Sequence, residues 1–356
     1  MKISWGEGAI LIIGATIGSG IISLPAGMAM AAKTSGWWLV FIGGAINLLS
    51  LLAIIYTQHY WPDQSFIDYG ARLYGKIISR LMAVLFIIYF MFEASVVIRV
   101  FTDFVSDTIL EETPNYVLIL VFFVAIFYFC NSGYETIKNV NLLFFVIKSF
   151  LLFLVVFFVI NKWDFQNLKP YIHPEIKLTK AIFESILSYA GFGIMLYFAK
   201  DFKDLKNGIK AAIFSVFFVS FTYVGVCLVG LLVFGAETLT RMSYPSFEII
   251  KIMNIGNVFY RLDSFLLAGW MTAIFTVVGL AIFTALLIIR KAFGLKDYRF
   301  LTAPVLLLVY FWALAPQNVG EVKEDSTVLS YWGLFLEHIF PFLLLALTLI
   351  KQRKAG

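Results

Sequence analysis

Charge is what this sequence has least of. Of its 356 residues, 14% are Asp, Glu, Lys or Arg and 61% are hydrophobic. A soluble domain runs nearer a quarter charged and about half apolar. A soluble fold of this length could bury much of such a surface but not all of it, so a wholly soluble protein is excluded. Three His and two Cys are scattered along the chain, so neither a metal site nor a cofactor is expected. Cys130 and Cys227 both fall inside apolar stretches and read as free buried thiols, not as a disulfide framework. P-loop, HExxH, paired CxxC and GxSxG patterns are all missing, which removes the enzyme classes they mark. There is no long basic or acidic tail. The net charge of +5 comes from short clusters at the ends of apolar runs, which argues against nucleic acid as a partner. No small-residue cleavage site follows the first apolar run, so that run is expected to be a retained span.

What is abundant is apolar length, with 38 Phe and 17 Tyr adding to it. A hydrocarbon core about 30 Å thick needs roughly 20 apolar residues per helix. Ten stretches meet or approach this, near 8–31, 37–57, 80–102, 116–132, 140–160, 181–199, 209–234, 264–289, 300–316 and 333–350. The expectation is an all-α transmembrane protein of ten helices in a lipid bilayer, one integral membrane domain over residues 1–356. With the N-terminus inside, 16 loop Lys and Arg lie inside and 9 outside, which puts both termini in the cytoplasm. Acidic clusters Asp103/Asp107/Glu111/Glu112 and Glu321/Glu324/Asp325 then fall in outer loops. Two connections, 161–180 and 235–263, are long enough to hold structure. The second carries Phe247, Ile249, Ile250, Met253 and Ile255, a pattern that predicts a short amphipathic helix lying on the outer surface.

Two spans are interrupted at mid-membrane. Span one contains Gly14-Ala15-Thr16-Ile17-Gly18-Ser19-Gly20-Ile21, and span six contains Ser188-Tyr189-Ala190-Gly191-Phe192-Gly193. Each helical glycine costs about 1 kcal/mol relative to alanine, and loosened backbone is tolerated in lipid only where it lines a cavity or packs on protein. Gly14 and Gly18 alone also fit a small-residue packing face. Their pairing with span six, at the matching place in the second five-helix half, points to a transporter-type binding site. The chemistry suits a zwitterion such as an amino acid. Free carbonyls near Gly14–Thr16 and in the first half of span six would face an ammonium. Free N–H groups near Gly18–Ile21 would face a carboxylate.

Intramembrane polar residues add to this. Glu93, mid-span three, is costly in lipid and reads as a ligand or proton contact or as a structural hydrogen bond. Tyr89, one turn earlier, shares its face. Arg99 reads as structural and able to snorkel. Lys148 stands about two turns into span five from the cytoplasmic side, where it either serves the site or snorkels inward. In span eight, Thr272 and Thr276 share a face; Thr276 is a candidate ligand contact, although helix hydroxyls often bond their own backbone. Glu184 opens span six near the outer surface. Glu337 and His338 open span ten, with His338 read as structural.

The string GATIGSGI resembles the motif of the amino acid–polyamine–organocation superfamily, whose LeuT-type fold has two inverted five-helix repeats with helices one and six broken. Here the repeats would be residues 8–160 and 181–350. A second stretch, Tyr244-Pro245-Ser246-Phe247-Glu248, Asn254-Ile255-Gly256-Asn257, Arg261-Leu262-Asp263 and Trp270, resembles the B subunit of spore germinant receptors, the endospore germination permeases. That resemblance implies a protein of the spore inner membrane that senses nutrients such as amino acids beside an A subunit, ascribed an ion-channel role, and a lipoprotein C subunit. It also gives Lys148 a role: in some sodium-independent superfamily members a span-five lysine stands where sodium would bind. A proton-coupled amino-acid permease and a structural scaffold with a vestigial pocket are the alternatives.

Overall fold

The computed structural model describes residues 2–18, 20–174, 176–252 and 262–355. They form helices, with one isolated bridge between Ile3 and Phe202. In chain order these are α1 (Trp5–Thr16), α2 (Gly20–Ala32), α3 (Gly36–Tyr60), α4 (Phe66–Leu73), α5 (Lys76–Thr108), α6 (Asn115–Asn131), α7 (Tyr134–Val159) and α8 (Leu178–Ser188). Then come α9 (Met195–Phe198), α10 (Leu205–Leu239), α11 (Pro245–Lys251), α12 (Leu262–Ala292), α13 (Thr302–Leu314), α14 (Val319–Gly333) and α15 (Phe340–Ala355). A π-helical stretch, Leu334–Ile339, joins the last two. Among the described residues, six helical stretches are long and apolar enough to cross a bilayer. A seventh qualifies if α8 and the following Phe192–Asp201 segment, bent by 52°, count as one. Trp5–Thr16, Asn115–Asn131 and Arg299–Leu314 are shorter apolar helices.

Local chemistry explains several ends. Ser4 and Glu7 form a reciprocal capping box that starts α1. Glu7 also accepts from Lys138 on α7 at 2.9 Å, which ties the start of α1 to α7. Ser65 and Asp68 repeat the box at α4. Asn318 caps α14 by accepting from the Glu321 N–H. That cap starts the helix well before the apolar run, so Glu321, Glu324 and Asp325 lie on α14, not in a loop as expected. Asp103 and Asp107 likewise belong to α5, where Arg99 bonds Asp103 at 2.8 Å and the Ala313 carbonyl at 3.0 Å. Arg99 is therefore a structural clamp between α5 and α13.

The amphipathic-helix expectation is half right. A helix is present at Pro245–Lys251, but it docks into the bundle instead of lying on a surface. Phe247 and Ile249 are buried, and Phe104 of α5 holds Tyr244, Phe247 and Trp270 around it with ring centroids 5.0 Å apart. Met253 and Ile255, with the Asn254–Asn257 and Arg261 parts of the resemblance, lie outside the described residues. In the other long connection, Phe165–Leu168 forms a short 3₁₀ turn, with Leu168 buried and the Asn167 amide on the Leu232 carbonyl of α10.

Lipid supplies little drive for helices to associate, so close packing of small residues carries the bundle. α3 packs on α8 and α10, and α5 on α12, with α1 set against α7, α10 and α12. Gly43 of α3 shows how tight this is: a side chain there would run into Ser185 of α8, its backbone included. Gly43→Val is expected to lower the stability of the purified protein by about 1–3 kcal/mol, as overpacking does. Gly225→Val, where an added Cβ meets nothing within 4 Å, should cost far less. Thermal unfolding in one detergent, read side by side, checks the difference.

Candidate functional site

The site is where the interrupted helices meet. α1 stops at Thr16, and Ile17 is extended (φ −80°, ψ 97°) before α2 resumes at Gly20. The last carbonyls of α1 thus lose their helical donors. Tyr223 of α10 donates its O–H to the Thr16 carbonyl at 3.0 Å. The Ala15 carbonyl points at Gly191, which follows α8 and has φ +107°. Any side chain at Gly191 would collide with that carbonyl. Glu93 completes the corner, its Oε1 lying 3.4 Å from where a Gly191 Cβ would stand. Ala15, Glu93 and Gly191, predicted separately, therefore converge.

Glu337 is the residue sequence reasoning missed. It was read only as the opening of span ten, yet it is fully buried in the π-helical stretch and reaches the bend after α8. The Gly191 N–H donates to both its oxygens, at 3.0 and 3.2 Å, and the Gly193 N–H donates to Oε1 at 3.2 Å. Gly193 lets the carboxylate lie against the backbone. Tyr89 is buried with its hydroxyl beside Glu337 and Glu93, but without a bond of hydrogen-bonding geometry. His338, next to Glu337, bonds Ser50 at 3.0 Å and is structural as expected.

Three of these polar atoms have no partner although buried: Thr16 Oγ1, Tyr89 O–H and Glu93 Oε2. A buried unsatisfied polar group costs about 1–3 kcal/mol. All three belong to residues singled out in the sequence as candidate ligand contacts.

The remaining predicted residues fall into other environments. Ser188 bonds back to the Glu184 carbonyl, and its own carbonyl lies close to Gly20, so the two interruptions touch there too. Glu184 is half-buried and faces Gly27 of α2. The Tyr189 hydroxyl is within bonding distance of the Val40 carbonyl (3.1 Å) and Ser220 (2.8 Å), which turns it toward α3 and α10. Gly14 makes room for the Asn141 side chain and Gly18 for Val277, so both also serve packing. Ser19 lies outside the described residues. Thr276 bonds its own Ala273 carbonyl at 2.9 Å and accepts from Lys148 at 3.2 Å. Lys148 is deeper than expected. α7 starts at Tyr134, not near residue 140, so Lys148 stands four turns along it at mid-helix and is 7% exposed.

These features define an integral, all-helical membrane protein of transporter fold. A Na+-coupled sialic acid symporter, solved substrate-bound and outward-open, matches with a TM-score of 0.68 at 11% identity, over 95% of this chain and 78% of its own. The spore permease family model, described as "Spore germination protein", matches residues 2–322, and the chain belongs to that family. Similar relatives include spore germination proteins YndE and A2 of Bacillus subtilis, both 23% identical, covering 100% and 99% of this chain and 98% and 97% of their own lengths. Spore germination protein KB of the same species is 24% identical over 97% of this chain and 94% of its own. The family is one of permease-type germination proteins, not of enzymes.

Proposed function

We propose that this chain is the nutrient-sensing B subunit of a spore germinant receptor, binding a small zwitterion, most simply an amino acid, between its interrupted helices. The observation that carries this reading is the meeting of Ala15, Gly191 and Glu93 beside Tyr89 and Glu337, with three buried polar atoms left unbonded. Glu337 already fills the N–H groups at the bend after α8. That leaves the free N–H groups at the start of α2, near Gly18–Ile21, for the ligand carboxylate. The ligand ammonium then meets Glu93 and the carbonyls of Gly14–Thr16 and Ser188–Tyr189. Binding would draw the interrupted helices together, and A and C partner subunits would read the shift. A ligand moves such an equilibrium only through its differential affinity for the two states.

The same reading takes the chain as ten crossings in two inverted five-helix repeats, residues 8–160 and 181–350, within one membrane domain. The first and sixth crossings are the broken ones, α1 with α2 and α8 with Phe192–Asp201. The membrane is the spore inner membrane, with both termini on the core side, as the Lys and Arg balance of the loops favours.

Lys148, reaching from α7 to Thr276 of α12, stands in for a coordinated sodium. Ligand binding to the purified protein is therefore expected to be equal in sodium and choline buffers. A dependence on sodium would remove Lys148 from that role.

The test is a Glu93→Gln chain expressed in spores that lack the native one. Glutamine keeps the shape and loses the charge, so the nutrient response should fall about tenfold or more, the worth of a charge-assisted bond. Partner subunits should still co-purify. An unchanged response would overturn the site. The symporter likeness keeps a permease as the second reading, and gradient-driven uptake separates the two.

A further inference from the structure

A cavity of about 410 Å³ opens between α7, α10, α12 and the start of α2, with α11 closing one end. Its size lies in the range of about 300–1,000 Å³ usual for small-molecule sites. Its walls are apolar: Phe153 of α7, Phe221 of α10, Ile249 of α11 and Trp270 of α12 are representative. Phe153 and Phe221 are 65% and 70% exposed, and α7 is the least buried of the long apolar helices. The mouth between α7 and α10 therefore faces the hydrocarbon of the bilayer, not water.

Lys148 is the one charged residue in this lining among the described residues. It spends one of its three N–H donors on Thr276, and no carboxylate pairs with it among the described residues. The charged form of a lysine so placed at membrane depth is costly, and an anion held against it would stabilise that form. Trp270 adds a buried indole N–H without a partner.

We propose that this cavity is a lateral site for a single-chain amphiphile with an anionic head, a long-chain fatty acid, whose carboxylate pairs with Lys148 while its chain lies along the apolar walls. A water-soluble polar ligand would gain little from these walls. A purely apolar chain would leave the ammonium uncompensated. A resident phospholipid could offer its acyl chain, but its head group stays at the interface, about 15 Å from the midplane of a 30 Å core. Lys148 sits about 21 Å along α7 from Tyr134, near the middle of that core. A free fatty acid has a head small enough to enter there. The site is separate from the one around Glu93 and does not rest on it; it shares Lys148 with the sodium stand-in role, one N–H on Thr276 and the others open to the cavity, and Ile17 and Ile21 in its wall connect it to the interruption of α1.

The experiment uses the full chain in phosphatidylcholine nanodiscs, titrated with dibromostearic acid. The readout is quenching of Trp270, isolated as the difference from a Trp270→Phe protein. Saturable quenching is expected, with half-saturation raised about tenfold by Lys148→Met and by using the methyl ester, the worth of one charge-assisted bond. Gly225→Phe, which places a ring in the cavity where an added Cβ meets no atom within 4 Å, should abolish the saturable phase at unchanged thermal stability. Superimposable curves for acid and ester, or for all proteins, would reduce the quenching to partition into bulk lipid and overturn the proposal. Equal saturable quenching by a brominated phospholipid would overturn it too, in favour of an acyl-chain site.

Discussion

Glu337→Ala is expected to abolish the nutrient response and to destabilise the protein more than any other single substitution at the site. Replacing a buried charge together with its partners by apolar groups often costs little, because desolvation offsets the attraction they make. That relief needs partners that can be removed or repacked along with it. Here the partners are the N–H groups of Gly191 and Gly193, fixed in the chain and buried. Alanine would leave both without acceptors, at several kcal/mol where water is excluded, and would leave a hole where the carboxylate was. Glu337→Gln keeps the shape and one acceptor oxygen, so it should fall between alanine and the parent. Thermal unfolding in detergent orders the three proteins. Equal midpoints for alanine and parent would mean that Glu337 does not hold the bend.

Gly191→Ala carries the second large effect. At φ +107° any L-residue is strained, by about 1–3 kcal/mol. The added carbon would also meet the Ala15 carbonyl, and neither side of that contact is a side chain that can swing away. The two interruptions would have to separate, and the site opens with them. Gly133 provides the control. Its φ of +92° is similar, but open space surrounds it, so Gly133→Ala bears the backbone strain alone. Ligand binding about 100-fold weaker in Gly191→Ala, with Gly133→Ala near the parent, is the expected pattern. Parallel losses in the two would show that φ alone matters and that the contact with Ala15 does not.

Much of this was legible in the chain. Apolar runs located the helices, because lipid forces every buried backbone group to be bonded within its own segment. Clustered glycines drew attention to both stretches: Gly191 is required by its φ of +107° against the Ala15 carbonyl, whereas Gly14 and Gly18 make room for Asn141 and Val277. Glu93 stood out as a carboxylate in hydrocarbon, and it does face Gly191. Glu337 is also a carboxylate inside an apolar run, but with Glu321, Glu324 and Asp325 read as an outer loop it falls at the opening of span ten. The Asn318 cap instead carries the helix through from Val319, which places Glu337 deep in the bundle. The expected depth of Lys148 is too shallow for a similar reason: the polar first turn of α7, with Glu135 and Lys138, looks like a loop and is helix. The pairing of Lys148 with Thr276, and the turning of Tyr189 toward Val40 and Ser220, depend on how helices are rotated about their axes. Single-sequence spacing does not encode that rotation.

The most direct test of the central claim is a panel of labelled proteinogenic amino acids presented to the purified chain in liposomes, with and without an imposed proton gradient, beside the Glu93→Gln protein. The account predicts saturable binding of one or a few of them, lost in Glu93→Gln, with no accumulation under the gradient. Gradient-driven accumulation would contradict the sensing role and make the chain a permease. Equal binding by the parent and Glu93→Gln would contradict the site itself.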